Sequence, residues 1–161
     1  MFKKIILILS MFFIGLFISN AYADTVVEHD NVDLTLVVSN IKSTKGTIKV
    51  AMYTSEKDYR KSGNDGSNAF KKASAKIDAV GKIKIIFKGI PSGTYAIKLF
   101  QDEDNSGALS TDWLGRPKED FGFSNNIDAK SGEPDFDQIK FTVDKTHATQ
   151  EIKMQRALAS K

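Results

Sequence analysis

Asp102, Asp104 and Ser106 stand on alternate positions and Gly107 follows at once, which is how a chain begins to wrap oxygen ligands around a hard divalent cation. The carboxylates supply the hard oxygens, and a glycine takes the sharp turn that lets them converge. Asp112 is the natural closing carboxylate, and Glu119 or Asp120, brought back by bends at Gly115 and Pro117, could complete the shell. Against the EF-hand pattern the match is partial. The twelfth loop position counted from Asp102 is Trp113, so the bidentate glutamate is missing and Asp112 falls one residue early. No flanking helices are expected either. The expected site is a calcium loop between strands, of the kind that stiffens extracellular modules with dissociation constants of roughly 10⁻⁴ to 10⁻³ M. The blander reading, which weighs more than the cation on sequence alone, is a polar turn over residues 104–107 whose side chains bond their own backbone.

Residues 113–126 hold a second group. Trp113, Phe121 and Phe123, with Arg116, Asn125 and Asn126 at the rim, could form a shallow platform for stacking a sugar or gripping an extended peptide. The alternative is that these aromatics cover one open end of the core. Enzymatic readings have less behind them. The chain has no cysteine and only His29 and His147, so neither a zinc site of His/Cys ligands nor a Cys-His pair can be built. There is no G-x-S-x-G nucleophile elbow and no glycine loop opening a helix beneath a phosphate. Paired acids such as Asp102 and Glu119 leave a carboxylate-based hydrolase as a remote alternative. No catalytic residue is assigned, and calcium is the one cofactor expected.

The elements that must position these residues have a period of two, the mark of an all-β domain. The apolar rows are Leu34, Leu36, Val38; Ile48, Val50, Met52; Ile83, Ile85, Phe87; Tyr95, Ile97, Leu99; Ile139, Phe141, Val143; and Ile152, Met154, with residues 73–77 a weaker seventh run. Lys45-Gly46 and Pro91-Ser92-Gly93 carry turn chemistry and predict two hairpins. About seven short antiparallel strands favour a two-sheet, Greek-key β-sandwich of immunoglobulin-like or transthyretin-like kind. One short helix is expected over residues 55–61 with Ser55 as its cap. The lysines at 71, 72 and 76 beside Phe70 read as a solvated face rather than a polyanion patch.

The amino-terminal residues predict export. Lys3 and Lys4 precede an apolar run over residues 5–18, and Ala21-Tyr22-Ala23 offers a cleavage site. The expected organisation is a cleaved signal peptide over 1–23, an extension over 24–32, a single sandwich domain over 33–156 and a tail over 157–161. Removing Lys3 and Lys4 leaves 21 basic residues against 20 acidic, so the pI of about 9.0 gives no warrant for nucleic-acid binding. The absence of cysteine argues against a lipid anchor and means that the fold holds without disulfides. The expected product is a monomer in the periplasm or outside the cell, not inserted in a membrane after cleavage.

The order Pro91-Ser-Gly-Thr-Tyr-Ala96, Gln101-Asp-Glu-Asp-Asn-Ser-Gly107, Leu114-Gly-Arg-Pro-Lys-Glu119 and Phe121-Gly-Phe-Ser-Asn125 resembles the exported bacterial family called domain of unknown function 2141. The resemblance spans roughly residues 34–154. It implies an exported sandwich and no established activity. Members often open the loop with His-Asp-x-Asn, whereas this chain has Gln101-Asp102-Glu103-Asp104, which puts any histidine-dependent role in doubt. The function expected is a non-catalytic binding module for an unknown protein or carbohydrate, with calcium in the loop. The alternative is an interaction protein that recruits a partner through its edge strands.

Overall fold

A computed structural model describes residues 30–129 and 132–156. Eight strands lie among them: β1 (Asn31–Ile41), β2 (Thr47–Tyr53), β3 (Lys71–Lys76), β4 (Gly81–Pro91), β5 (Gly93–Asp102), β6 (Phe121–Phe123), β7 (Phe141–Val143) and β8 (Thr149–Lys153). Two short helices, α1 (Glu56–Arg60) and α2 (Phe136–Ile139), complete the list with one 3-10 turn at Ser124–Asn126. The strands form a β-sandwich. One sheet has the order β4-β1-β8, the other β3-β2-β5-β6, and β7 pairs with the start of β5. Alternation decides the packing: Leu34, Leu36 and Val38 of β1 meet Ile48, Val50 and Met52 of β2 and Ile97 and Leu99 of β5 in one core.

Both expected hairpins are crossings between sheets. The segment carrying Lys45-Gly46 takes the chain from β1 to β2 in the opposite sheet, and Ser92 turns the corner between β4 and β5. Turn residues fix where the chain reverses but not which edge it pairs with; β1 instead takes β4 antiparallel, with Leu36 opposite Ile85. Its other neighbour, β8, is parallel to it, with Val38 opposite Ile152, an exception to the all-antiparallel expectation. Ile139, expected in a strand, closes α2. The helix at residues 55–61 is α1, whose Ser55 side chain accepts the Asp58 amide at 3.2 Å. The signal peptide over residues 1–23, residues 24–29 of the extension and the tail at 157–161 lie outside the described residues. Among the described residues no helix is long and apolar enough to cross a membrane.

The strand β6 was not expected, and it matters most for the site. Phe121 and Phe123 face outward from the sheet, opposite Phe100 and Lys98 of β5. They join Ala51, Tyr53, Tyr59, Phe136 and Ile139 in a second, smaller core on the outer side of that sheet, roofed by α1 and α2. The inner residue is Gly122, and it permits a close approach: a Cβ there would stand 2.7 Å from Ile152 Cγ2. The paired amides of Phe121 and Gln155, each donating to the other's carbonyl at 2.8 Å, then close that side of the sandwich. Gly122→Ala is expected to lower stability by about 1–3 kcal/mol through overpacking. Chemical denaturation checks it, and an unchanged midpoint would show that the two sheets do not meet there.

Candidate cation site and an adjoining cavity

Asp102 ends β5 on the outer row, opposite Thr47 of β2. The chain leaves the sheet there, turns at Asn105 and Gly107, both with positive φ, and returns to begin β6. Backbone amides aim at the carboxylates along this path. The Ser106 amide donates to Asp104 Oδ1 at 3.0 Å and the Gly107 amide to Asp102 Oδ2 at 3.1 Å. Glu119 ties the two limbs of the loop, accepting from the Glu103 amide at 2.8 Å and the Ser110 amide at 3.0 Å. The Ser110 hydroxyl donates to Asp104 Oδ2 at 2.7 Å. That hydrogen bond, followed by those from Ser106, lowers the Asp104 carboxyl from 3.8 to about 2.

These folds bring one oxygen each from Asp102, Asp104 and Glu119 within 4.8 Å of one another. Asp102 is 1 % exposed and Glu119 4 %, while Asp104 opens to solvent. Asp102 Oδ1 is buried with no hydrogen-bond partner. The nearest cation, Lys49 Nζ, stands 3.8 Å from the other oxygen, Oδ2. A buried carboxylate oxygen without a donor is costly, and a bound cation would remove that cost. The donor set, three carboxylates with one side open to water, suits Ca²⁺ or Mg²⁺ rather than a soft metal.

The other expected ligands are used differently. The Ser106 hydroxyl donates to the Ala108 carbonyl at 2.8 Å. Asp112 stands outside the cluster and holds its own turn: Oδ1 accepts from the Leu114 and Arg116 amides at 2.9 and 3.0 Å, and Oδ2 from Arg116 Nε at 2.8 Å. Arg116 pulls the Asp112 carboxyl below its ordinary range. The result is a finger closed by the Thr111–Pro117 bridge, with Trp113 88 % and Leu114 55 % exposed at its tip. Asp120 lies buried against Arg156, which also holds Glu103 at 2.9 Å.

The expected platform comes apart for a physical reason: Phe121 and Phe123 sit in a strand and belong to the outer core, whereas Trp113 and Arg116 belong to the finger. Asn125 donates to the Gln138 and Lys140 carbonyls, and Asn126 accepts the Lys153 amide, so both tie chain segments together. In place of the platform, the outer face of the sheet has a cavity of about 450 Å³. Phe100, Phe121, Phe123 and Leu109 line it together with Lys49 and Lys72. Little in the sequence signalled it, since the outer row of β5 mixes Thr94, Ala96, Lys98, Phe100 and Asp102.

The base of the loop is also fixed. Gln101 Nε2 donates to the Ser43 and Lys45 carbonyls at 3.1 and 2.7 Å, and a Cβ on Gly46 would stand 1.9 Å from the Asp102 carbonyl oxygen. The crossing between β1 and β2 therefore packs directly beneath the carboxylates.

A family model described as "Uncharacterized protein conserved in bacteria (DUF2141)" matches residues 36–151. No curated protein and no solved structure matches the chain.

Asp112→Ala is expected to loosen the finger alone. Amide exchange at Leu114 and Arg116 should quicken about tenfold while the melting midpoint stays close to that of the parent. In the parent, because the Asp112 carboxyl is lowered, the finger should hold as pH falls to the ordinary carboxylate range and open below it. Exchange read by mass spectrometry checks both, and unchanged rates in the variant would show that Asp112 does not hold the turn.

Proposed function

The chain belongs to the family of uncharacterized proteins conserved in bacteria, and we propose that it is an exported, non-catalytic binding module whose loop after β5 is closed by Ca²⁺ on Asp102, Asp104 and Glu119. The observation that carries the reading is Asp102 Oδ1, buried, without a donor, and part of a group of three converging carboxylates. Each carboxylate oxygen has two lone pairs, so the amide bonds to Asp104 and Glu119 leave room for a cation. The affinity expected for three carboxylates open to water on one side is modest, roughly 10⁻⁴ to 10⁻³ M. That suits a compartment where calcium is abundant, in keeping with the export expected from the amino-terminal residues.

A hydrolase is a poorer fit. Both Glu119 oxygens accept backbone N–H groups, so neither is turned toward a substrate as a proton donor. Partner capture by edge strands also has less support. The edge strand β3 carries Lys71, Lys72 and Lys76, and β4 carries Lys82, Lys84 and Lys88, which is how sheets discourage strand addition.

The test is a set of thermal melts in chelator, in millimolar calcium and in millimolar magnesium, for the parent and the Asp102→Asn/Asp104→Asn variant. Millimolar calcium is roughly one to ten times that dissociation constant, so the cation adds about 0.4 to 1.4 kcal/mol, a rise of one to a few degrees. The parent should rise in calcium and the variant should not. In chelator the variant should melt at or somewhat below the parent, because it loses the charged acceptor that Ser110 and Ser106 favour at residue 104. Identical parent melts in all three buffers would sink the calcium reading.

Acid adds a further expectation. The lowered Asp104 carboxyl contributes stability that is present above about pH 4 and lost as pH falls toward 2. The calcium-dependent rise should fade over the same window. A rise that persists at pH 2 would show that Asp104 is not a ligand.

A further inference from the structure

The cavity beside the carboxylate loop has a composition that selects its occupant. Phe100, Phe121 and Phe123 supply an aromatic floor from adjacent strands, and Leu109 closes it from the loop. Strand register sets the charge above that floor. Lys72 lies opposite Ala51 and Lys49 opposite Ser74, so both lysines project from the outer face of the sheet over the cavity.

Neither ammonium group is closed into a hydrogen-bonded salt bridge. Lys72 Nζ donates to the Asp65 backbone carbonyl at 3.1 Å and feels the Asp65 carboxylate at the cavity rim, but that carboxylate takes its hydrogen bond from the Ser67 amide. Lys49 reaches only 3.8 Å from Asp102 Oδ2. The third lysine facing this side, Lys98, is by contrast fully used. It pairs with Glu133 at 3.1 Å and stands 5.7 and 5.4 Å from the ring centres of Tyr53 and Tyr59.

A cavity of 450 Å³ is within the range that encloses a small organic ligand. From the aromatic floor and the two ammonium groups left outside hydrogen-bonded salt bridges we infer that this cavity binds a small amphipathic anion. Its planar apolar body lies on Phe100, Phe121 and Phe123, and its carboxylate, sulfonate or phosphate group is held by Lys49 and Lys72. The inference rests on the binding-module reading but not on the cation, because none of these five residues is a cation ligand.

The test titrates the purified protein with naphthalene-2-sulfonate and with neutral naphthalene-2-sulfonamide by calorimetry, in chelator and in calcium. The sulfonate should bind saturably at one site, at least about tenfold more tightly than the sulfonamide. Lys49→Gln/Lys72→Gln should remove that preference, leaving the sulfonamide unaffected. Leu109→Trp, which fills the cavity, should abolish both, with circular dichroism confirming that the fold is intact.

Four results would overturn the proposal: no saturable binding of the sulfonate up to millimolar concentration, equal affinity for the two probes, an unchanged preference in the double lysine variant, or full binding by Leu109→Trp. Sulfonate binding in chelator with no calcium effect on the melt would support the cavity while the cation reading fails. A calcium-dependent melt without sulfonate binding would do the reverse.

Discussion

The strand β5 is covered on both faces, and most of the molecule follows from that requirement. Tyr95, Ile97 and Leu99 point into the sandwich, where the three-stranded sheet buries them. Ala96, Phe100 and, at the end of the row, Asp102 point the other way and are buried as well. A sheet with water on one side would leave that outer row exposed, so the fold needs a second roof. The helices α1 and α2 cover one end of it, with Tyr59 against Tyr53 at 5.5 Å and against Phe136 at 6.1 Å. At the other end the cover is the loop of residues 103–120. A loop that serves as a roof cannot wander, and this one is pinned at its base by Gln101 and across its limbs by Glu119.

Placing a carboxylate at the end of a buried row creates an electrostatic problem that the loop solves in part. Amides of Glu103, Ser106, Gly107 and Ser110 turn inward and give the acids dipolar neutralisation in place of the water they lose. At Asp104 the Ser110 hydroxyl, followed by Ser106, adds to this and lowers the carboxyl. Amide dipoles compensate the oxygens they reach, and they do not reach Asp102 Oδ1. The other orphaned polar atoms include Thr47 Oγ1 and Gln101 Oε1, at the same end of the sheet, so the shortage of donors is concentrated where the loop begins.

The inner rows of β1, β2 and β5, the Ser55 cap and the acids Asp102, Asp104 and Glu119 could all be read from the sequence, because each depends on local spacing or on residue type. Pairing could not. Lys45-Gly46 and Pro91-Ser92-Gly93 carry the same turn chemistry whether the next strand joins its neighbour or crosses to the other sheet. Three residues, one of them Gly122, are too few to announce β6, so its phenylalanines looked like a loop platform. Asp112 illustrates a different ambiguity: an aspartate placed to close a cation shell is equally placed to accept the amides of its own turn, and here Leu114 and Arg116 take it. The cavity was hidden because lysines on strands suggest solvent, and only the register shows Lys49 and Lys72 above aromatic rings.

Lys49 shows why charge has not simply cancelled between the two sites. It lies on the same outer face as Asp102 but is a diagonal neighbour across the β2–β5 ladder, since Asp102 faces Thr47 and Lys49 faces Phe100. From that position the ammonium stops 3.8 Å short of Oδ2, within ion-pair range but beyond a hydrogen bond. A pair held at that length leaves the carboxylate under-compensated on one side and the ammonium under-compensated on the other. A lysine directly opposite the aspartate could close the gap, and both groups would then be spent in a plain buried salt bridge. The one-step offset in the ladder instead keeps a carboxylate turned toward the loop and a lysine turned toward the cavity, so the strand register itself divides one potential ion pair between two adjoining sites.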